Sequence, residues 1–322
     1  METEIPVVTK NDLVTGLRSV GLSGGQHVVV HSSLSRFGRV EGGAETVIAA
    51  LKEIITPEGT VVMPTFTSRI EFFAEALIAR CVAQGKDGFH GTVRELYDTV
   101  RQIWLDAGFK IVPFETPESL WKRFHDEGVF THWKNWQISP QVFPLPGGEL
   151  VHIVKHGQPL PPDQLHPWCI AGTVGIIPET FRKQPDVRRS EHYSGSFAAW
   201  GSMTDFILKG HDNYSPRVFE DHPLYRMKEI GGKILLLGIN HGNNSTIHVA
   251  EEAAVRARGV NVPHEYLGHF MNIEAPLDAA GGQTHGKIGN AEVRLADTRI
   301  LYRVCAEILD AKLTSGELVP VG

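Results

Sequence analysis

The sequence predicts an α/β protein in which helices cover the faces of a largely parallel sheet. Three runs with the character of buried strands indicate this fold class: His27–Val30, Thr60–Pro64 and Lys233–Gly238. Helical patterns follow the first and the third run. Strands that alternate with helices in this way are usually connected in parallel.

The first elements follow this pattern. Asn11–Gly21 has apolar residues at helical spacing and a glycine stop, which predicts an amphipathic helix. Gln26–His31 is a β-branched strand that ends in a serine-rich loop. A pair of glycines then opens a helix at Glu45–Ile55, and Thr60–Pro64 is the second strand.

The character of the chain changes between about Ser68 and Gln164. Helical patterns at Phe72–Gln84, Val93–Ala107 and Ser119–Glu127 lie among many aromatic residues. The segment is too apolar to remain disordered, so we interpret it as an insertion or cap. The predicted division is an α/β core at 1–67 and 165–322, with an insertion at 68–164.

The α/β pattern resumes from Gly172. We predict helices near Pro178–Lys183 and at Phe197–Leu208, then the strand at 233–238 and a helix from about Ser245. The last large element, Asn290–Leu309, is predicted to be one long amphipathic helix.

Composition limits the classes of function. The 322 residues carry a net charge of −6, which argues against nucleic acid or an anionic membrane as the main partner. No apolar run approaches the ~18 residues of a membrane span, and the acidic N-terminus lacks the features of a signal peptide. Three cysteines without metal-type spacing fit a reducing compartment. We therefore expect a cytoplasmic protein.

Two polar loops could bind an anionic ligand. The first joins a strand to a helix and contains hydroxyls, an arginine and glycines: Ser32, Ser33, Leu34, Ser35, Arg36, Gly42 and Gly43. Such donors at a helix start suit a phosphate, although a capped serine turn would look the same. The second contains Arg188, Arg189, Ser190, His192, Ser196 and Phe197. Its arginines form a plausible phosphate clamp, or a solvated basic turn that caps a helix.

His248 is the candidate general base. It lies in the first turn of the helix that follows the strand at 233–238, and it has Glu251 and Glu252 at helical spacing. The alternative is a structural histidine beside a solvated acidic face.

Other chemistries have weaker support. The histidine pair His152 and His156 has a metal-like spacing, but the segment is predicted to be a strand, which separates the two side chains too far. His264 and His269 lack matching carboxylates, so no metal is expected. A serine hydrolase would need a Gly-x-Ser-x-Gly elbow, which the sequence does not contain.

Taken together, several blocks resemble the aminoglycoside 3-N-acetyltransferase family of acetyl-CoA-dependent antibiotic acetyltransferases. They occur in the family's order and cover roughly 1–67 and 170–310. The blocks are Val30–Ser35 with Gly42–Ala44, Pro57–Thr67, Phe181–Arg182, Arg189–His192, Ser196–Gly201, Gly232–Gly238, Thr246–Glu251 and Gly286–Ala291.

The resemblance implies the family's own three-layer α/β/α fold with a parallel or mixed sheet, and acetyl-CoA as cosubstrate. Acetyl-CoA would lie along Ser32–Arg36 and Gly42–Gly43. The residues implied to hold its phosphates and pantetheine are Arg189, Ser190, His192, Ser196 and Phe197. His248 matches the catalytic histidine, which would take a proton as the substrate amine attacks the thioester.

The sequence departs from the family pattern at three points. Tyr193 stands where members usually have proline. The carboxylate partner of the histidine matches Asn272 in direct alignment, and a small shift would supply Glu274; Glu251 is the alternative. The 68–164 insertion is longer than the family connection, and we expect it to shape the acceptor pocket.

The leading hypothesis is a cytoplasmic N-acetyltransferase acting on an aminoglycoside-like or other amine. The alternatives are a hydrolase or deacylase that uses His248 and water, and a non-catalytic CoA-binding homologue. A homodimer is compatible with all three, and the sequence does not decide the oligomeric state.

Overall fold

The computed structural model describes residues 6–66, 174–190, 195–211, 219–261 and 270–320, with separate pieces between 77 and 102 and strands at 137–140 and 150–156. The chain forms two compact units. The first contains Met1–Thr65, Val174–His192 and Ser196–Gly322, and the second contains Phe66–Thr173 and Tyr193–Gly195. The predicted insertion lies within the second unit, and its role at an acceptor pocket stays a prediction.

The first unit is built on a seven-stranded mixed sheet with the order β11-β12-β10-β2-β4-β9-β8. Its strands are β2 (His27–Ser32), β4 (Thr60–Pro64), β8 (Arg188–Arg189), β9 (Phe197–Gly201), β10 (Lys233–Leu237), β11 (Gln283–Ile288) and β12 (Ala291–Asp297). A separate two-stranded ribbon pairs β1 (Val7–Val8) with β3 (Arg39–Val40).

The centre of the large sheet is parallel and its two sides are antiparallel. β2 pairs in parallel with β10 and β4, whereas β9, β8, β12 and β11 are added in antiparallel pairings. The central strands are buried on both faces, which explains their continuous apolar sequences.

Eight α-helices of the described residues belong to this unit. They are α1 (Lys10–Ser19), α2 (Gly43–Ile55), α3 (Ile176–Arg182), α4 (Thr204–Leu208), α5 (Pro223–Glu229), α6 (Thr246–Arg258), α7 (Glu274–Ala279) and α8 (Thr298–Ser315). None of these described helices has the length and apolarity needed to cross a membrane.

The helices form two layers. α1, α2 and α3 pack together over one face, where Val28, Val30 and Leu235 belong to the main apolar cluster. α5, α6 and α8 pack together over the opposite face, to which the alternate residues Val29 and Leu236 point. This arrangement confirms the predicted three-layer α/β/α fold with a mixed sheet.

The predicted helix at Phe197–Leu208 is wrong in its first half. Phe197–Gly201 forms β9, and only Thr204–Leu208 is helical. β9 pairs with β4 and its first residues are buried, so tertiary pairing overrides the helix preference of Ala198 and Ala199.

The predicted helix at Asn290–Leu309 is also wrong in its first part. The chain turns at Gly289 and Asn290, forms β12, and begins α8 only at Thr298, with Asp297 as N-cap. Ala291, Val293 and Leu295 are buried while the residues between them are more exposed. This two-residue period is the strand signal that the helical interpretation missed.

The second unit contains a three-stranded antiparallel sheet with the order β5-β7-β6. The strands are β5 (Gly88–Thr92), β6 (Gln137–Pro140) and β7 (Leu150–His156). His152 and His156 lie on β7, as the predicted strand required. The helix predicted at 119–127 and much of the other two lie outside the described residues.

Candidate active site

The carboxyl ends of the parallel strands β2, β4 and β10 meet at one edge of the large sheet. The antiparallel register brings the start of β9 to the same edge, with Phe197 opposite Pro64. On the outer strand β8, Arg189 lies opposite Ala198. Open α/β sheets bind ligands at the carboxyl ends of their strands, so this edge is where a ligand is expected.

The loop after β2 lies at this edge. It holds the predicted cofactor-binding residues Ser32, Ser33, Leu34, Ser35 and Arg36, the last three in a short 3₁₀ helix. The amide of Ser33 donates to the carbonyl of Leu237 over 2.9 Å, which fixes the loop to the end of β10. Ser35 and Arg36 are exposed, whereas the hydroxyl of Ser32 is buried and has no hydrogen-bond partner in the described part of the chain.

Gly42 and Gly43 open α2 at the same edge, because α2 runs back from the end of β2 to the start of β4. Both have positive φ, 70° and 61°, a region that disfavours residues with a Cβ. A Cβ on Gly43 would meet nothing within 4 Å. The first turn of α2 therefore leaves open space beside a positive helix end.

Arg189 is held against the end of β4. Its Nε donates to the hydroxyl of Thr65 over 3.1 Å and its Nη2 donates to the carbonyl of Thr65 over 2.9 Å. Burial, followed by the charge of Arg182, lowers the pKa of Arg189 to about 9, and Glu179 acts in the opposite direction. At neutral pH the guanidinium therefore keeps its charge in a poorly solvated place, which favours an anion.

The other residues of the second predicted loop form a connected group. The hydroxyl of Ser196 donates to the carbonyl of Thr65 over 2.8 Å, and the amide of Phe197 donates to the hydroxyl of Ser190 over 3.0 Å. The same hydroxyl lies 2.9 Å from Nδ1 of His211. His192, predicted as a cofactor-binding residue, lies outside the described residues.

His248 lies in the first turn of α6, as predicted. Its Nδ1 is 3.7 Å from a carboxylate oxygen of Glu251. The side chain of His248 is 39% exposed, whereas that of Glu251 is 5% exposed, so the histidine reaches solvent over a buried carboxylate. Glu252 instead pairs with Arg256 at 2.6 Å on the outer surface of the helix.

Glu274, the other predicted carboxylate, has different neighbours. It accepts a 2.5 Å hydrogen bond from Nε of Arg294 and lies near the amide of Gln283 and, at 4.0 Å, Nε2 of His241. Asn272, the alternative position in the family pattern, is exposed. Among the described residues, Glu251 lies beside His248, whereas Glu274 pairs with Arg294.

Two buried histidines were not singled out from the sequence. His31 is the next-to-last residue of β2, and burial followed by the charge of His241 lowers its pKa to about 4. Burial, partly offset by the hydrogen bond that the ring donates to the amide oxygen of Gln283, also lowers the pKa of His241. Both rings are therefore neutral at neutral pH. The only available sequence signal was their position at the ends of apolar runs.

One group of described residues could in principle hold a cation: Glu274, Asp278 and His285. The Arg294 guanidinium already neutralises Glu274, and His285 lies 2.7 Å from Asp278. A cation would have to compete with both contacts, so this group does not suggest a metal-dependent reaction.

The chain is similar to known proteins of one family. A family profile described as aminoglycoside 3-N-acetyltransferase matches residues 29–83 and 169–310. An aminoglycoside N(3')-acetyltransferase-like protein, YokD of the SPbeta prophage in Bacillus subtilis (strain 168), is 26% identical over 307 residues, 89% of this chain and 87% of that protein.

Solved structures show the same fold. The crystal structure of YokD has a TM-score of 0.59 at 23% identity and covers 97% of this chain and 96% of its own. AAC-IIIb in a binary complex with CoASH has a TM-score of 0.56 at 19% identity, covering 95% and 98%. AAC-VIa bound to sisomicin has a TM-score of 0.56 at 19% identity, covering 95% and 99%.

Proposed function

Because the chain belongs to the aminoglycoside 3-N-acetyltransferase family, an acyltransferase family, we propose that it transfers the acetyl group of acetyl-CoA to an amine of an aminoglycoside-like substrate. The observation that carries the proposal is the pair of His248 and Glu251 at the start of α6, beside a sheet edge rich in anion-binding groups. A base and an anion site are the two requirements of this reaction.

Acetyl-CoA is the proposed cosubstrate. Its phosphates would be bound by Arg189, by the Ser32–Arg36 loop and by the open turn at Gly43, with Ser190, Ser196 and Phe197 along the pantetheine. The desolvated guanidinium of Arg189 supports this assignment, as does the buried hydroxyl of Ser32, which has no hydrogen-bond partner among the described residues. A structural relative in complex with CoASH supports the class of ligand.

His248 is the proposed general base. The amine nitrogen attacks the thioester carbonyl carbon as His248 accepts a proton from the nitrogen, directly or through one water. The carbon–sulfur bond then breaks, and coenzyme A leaves with the electron pair and takes up a proton. Glu251 stabilises the imidazolium that exists between these steps, because its buried carboxylate lies 3.7 Å from Nδ1.

The acceptor is proposed from the relatives. AAC-VIa was solved bound to sisomicin. The negative net charge of this chain, −6, favours a cationic acceptor. The second unit is the part of the chain that we propose adjusts the acceptor preference.

The test is thiol release from acetyl-CoA, measured with a panel of aminoglycosides including sisomicin, with simple amines and without an acceptor. Acceptor-dependent release that is lost in His248→Ala supports the proposal. Equal release with and without amine would identify a thioester hydrolase instead. Full activity of His248→Ala would overturn the role of the histidine.

A further inference from the structure

Hydrogen bonds to two neighbouring side chains fix the tautomer of His241. The ring is fully buried in the turn that follows β10. Nδ1 lies 3.1 Å from the amide nitrogen of Asn244, and Nε2 lies 2.9 Å from the amide oxygen of Gln283. Because an amide nitrogen only donates, Nδ1 must be the acceptor, and the proton is on Nε2, where it is donated to Gln283.

Asn244 connects this ring to the start of α6. Its amide oxygen accepts the backbone N–H of Thr246 over 3.1 Å. Thr246 is the first residue of the helix, and the N-cap Ser245 makes no side-chain capping bond. Asn244, which is 2% exposed, therefore supplies the side-chain acceptor that orders the first turn.

The far side of His241 is fixed to the neighbouring hairpin. Gln283 begins β11, and its amide nitrogen lies 3.4 Å from a carboxylate oxygen of Glu274. Glu274 accepts from Arg294 on β12, and Arg294 also donates to the carbonyl of Ile239 over 3.3 Å. The loop between β10 and α6 is thus bonded to the β11–β12 hairpin at Ile239 and at His241.

We propose that His241 and Asn244 are positioning residues for His248. His248 lies two residues beyond Thr246, within the turn that Asn244 orders. The backbone of that turn sets the position from which the His248 side chain extends. This inference rests on the proposed function, in which His248 is the base.

The test is Asn244→Ala, compared with Asn244→Asp. Alanine removes the acceptor for the Thr246 amide. Displacement of the base should then lower kcat at least about tenfold, with the KM for acetyl-CoA changed by less than about twofold. Aspartate keeps the acceptor for the Thr246 amide but loses the amide donor to Nδ1 of His241, so it should restore part of kcat. Hydrogen exchange should rise at residues 246–249 in the alanine variant and rise less in the aspartate variant.

Two further variants complete the experiment. Gln283→Ala removes the other partner of His241. It should lower kcat with little change in KM, as Asn244→Ala does, but to a smaller degree. If Asn244→Ala does not fold, Gln283→Ala supplies the test. His285→Gln, on the same strand but in an exposed pair with Asp278, is the control and should leave kcat unchanged.

Three results would overturn the inference: unchanged kcat in Asn244→Ala, equal losses with alanine and aspartate, or a loss that moves kcat, KM and exchange of the whole first unit together. The two proposals fail differently. An active His248→Ala overturns the proposed function, whereas an inactive His248→Ala with a fully active Asn244→Ala overturns only the positioning role.

Discussion

Nδ1 of His248 lies 3.7 Å from a carboxylate oxygen of Glu251, about one turn further along the same helix. The carboxylate is withdrawn from water while the imidazole reaches solvent. In the proposed mechanism, a carboxylate at this distance stabilises by its charge the imidazolium that forms when His248 takes up the proton of the amine. The pair thus has the geometry of a base with its supporting carboxylate.

Glu251→Gln should lower kcat by about ten- to a hundredfold, because the imidazolium loses its compensating charge while the side-chain volume is kept. The KM for acetyl-CoA should not change. Steady-state kinetics with saturating acceptor measures the effect. Glu252→Gln is the matched control, since this exposed neighbour pairs with Arg256 at the surface. A similar loss in both variants would contradict the role of Glu251.

Arg189→Met should raise the dissociation constant of CoA by roughly ten- to a hundredfold, the effect of losing about 1.5–3 kcal/mol of charged hydrogen bonding. Isothermal titration of CoA measures this directly. Arg188→Met is the control, because Arg188 is exposed and pairs with Asp205 on the surface. Unchanged affinity in Arg189→Met would remove this residue from the phosphate site.

The parts of the fold that could be predicted from the sequence are those with local signals. The strands at His27–Ser32, Thr60–Pro64 and Lys233–Leu237 are buried on both faces and give continuous apolar runs. The strands at Phe197–Gly201 and Ala291–Asp297 could not be predicted in the same way. Their alanines and short alternation suit a helix equally well, and only pairing with distant strands decides between the two.

The residues of the candidate site also differ in how far the sequence predicts them. His248 could be identified because it opens a helix behind a buried strand. The sequence did not decide between Glu251 and Glu274 as its carboxylate, because the contact of Glu274 with Arg294, 20 residues further along the chain, leaves no local pattern. The surroundings of His241 depend on Gln283, 42 residues away. Burial of a polar group by distant segments leaves no local pattern in the sequence.

The folded chain should lose stability as the pH falls from about 6.5 to 4, in part because of His31. Burial lowers the pKa of His31 to about 4, so in this interval the unfolded chain binds a proton that the folded chain does not. The loss should be absent above pH 6.5, reach about 3 kcal/mol near pH 4 and grow no further below it.

Urea unfolding at pH 7.5, 6 and 5 measures this loss. His31→Gln removes the titrating group, so its unfolding free energy should depend less on pH than that of the wild-type protein. The pKa of His27 is also lowered by burial, but His27 is present in both proteins and its contribution largely cancels in the comparison. Equal pH dependence in the two proteins would contradict the assignment.

Gly201→Ala should be strongly destabilising, because Gly201 ends β9 where it passes the backbone of β4. Its φ is +111°, and a Cβ would lie 2.1 Å from the carbonyl oxygen of Gly59 and 2.9 Å from Cα of Thr60. Neither backbone atom can move without breaking the strand pairing, so we expect the free energy of unfolding to fall by about 3 kcal/mol or more.

Gly259→Ala is the control that measures the cost of positive φ alone, since Gly259 has φ +60° and open space around it. Its free energy of unfolding should fall by only about 1 kcal/mol. Thermal and urea unfolding of both variants measure the difference, and equal losses would show that strand contact at Gly201 contributes nothing beyond backbone strain.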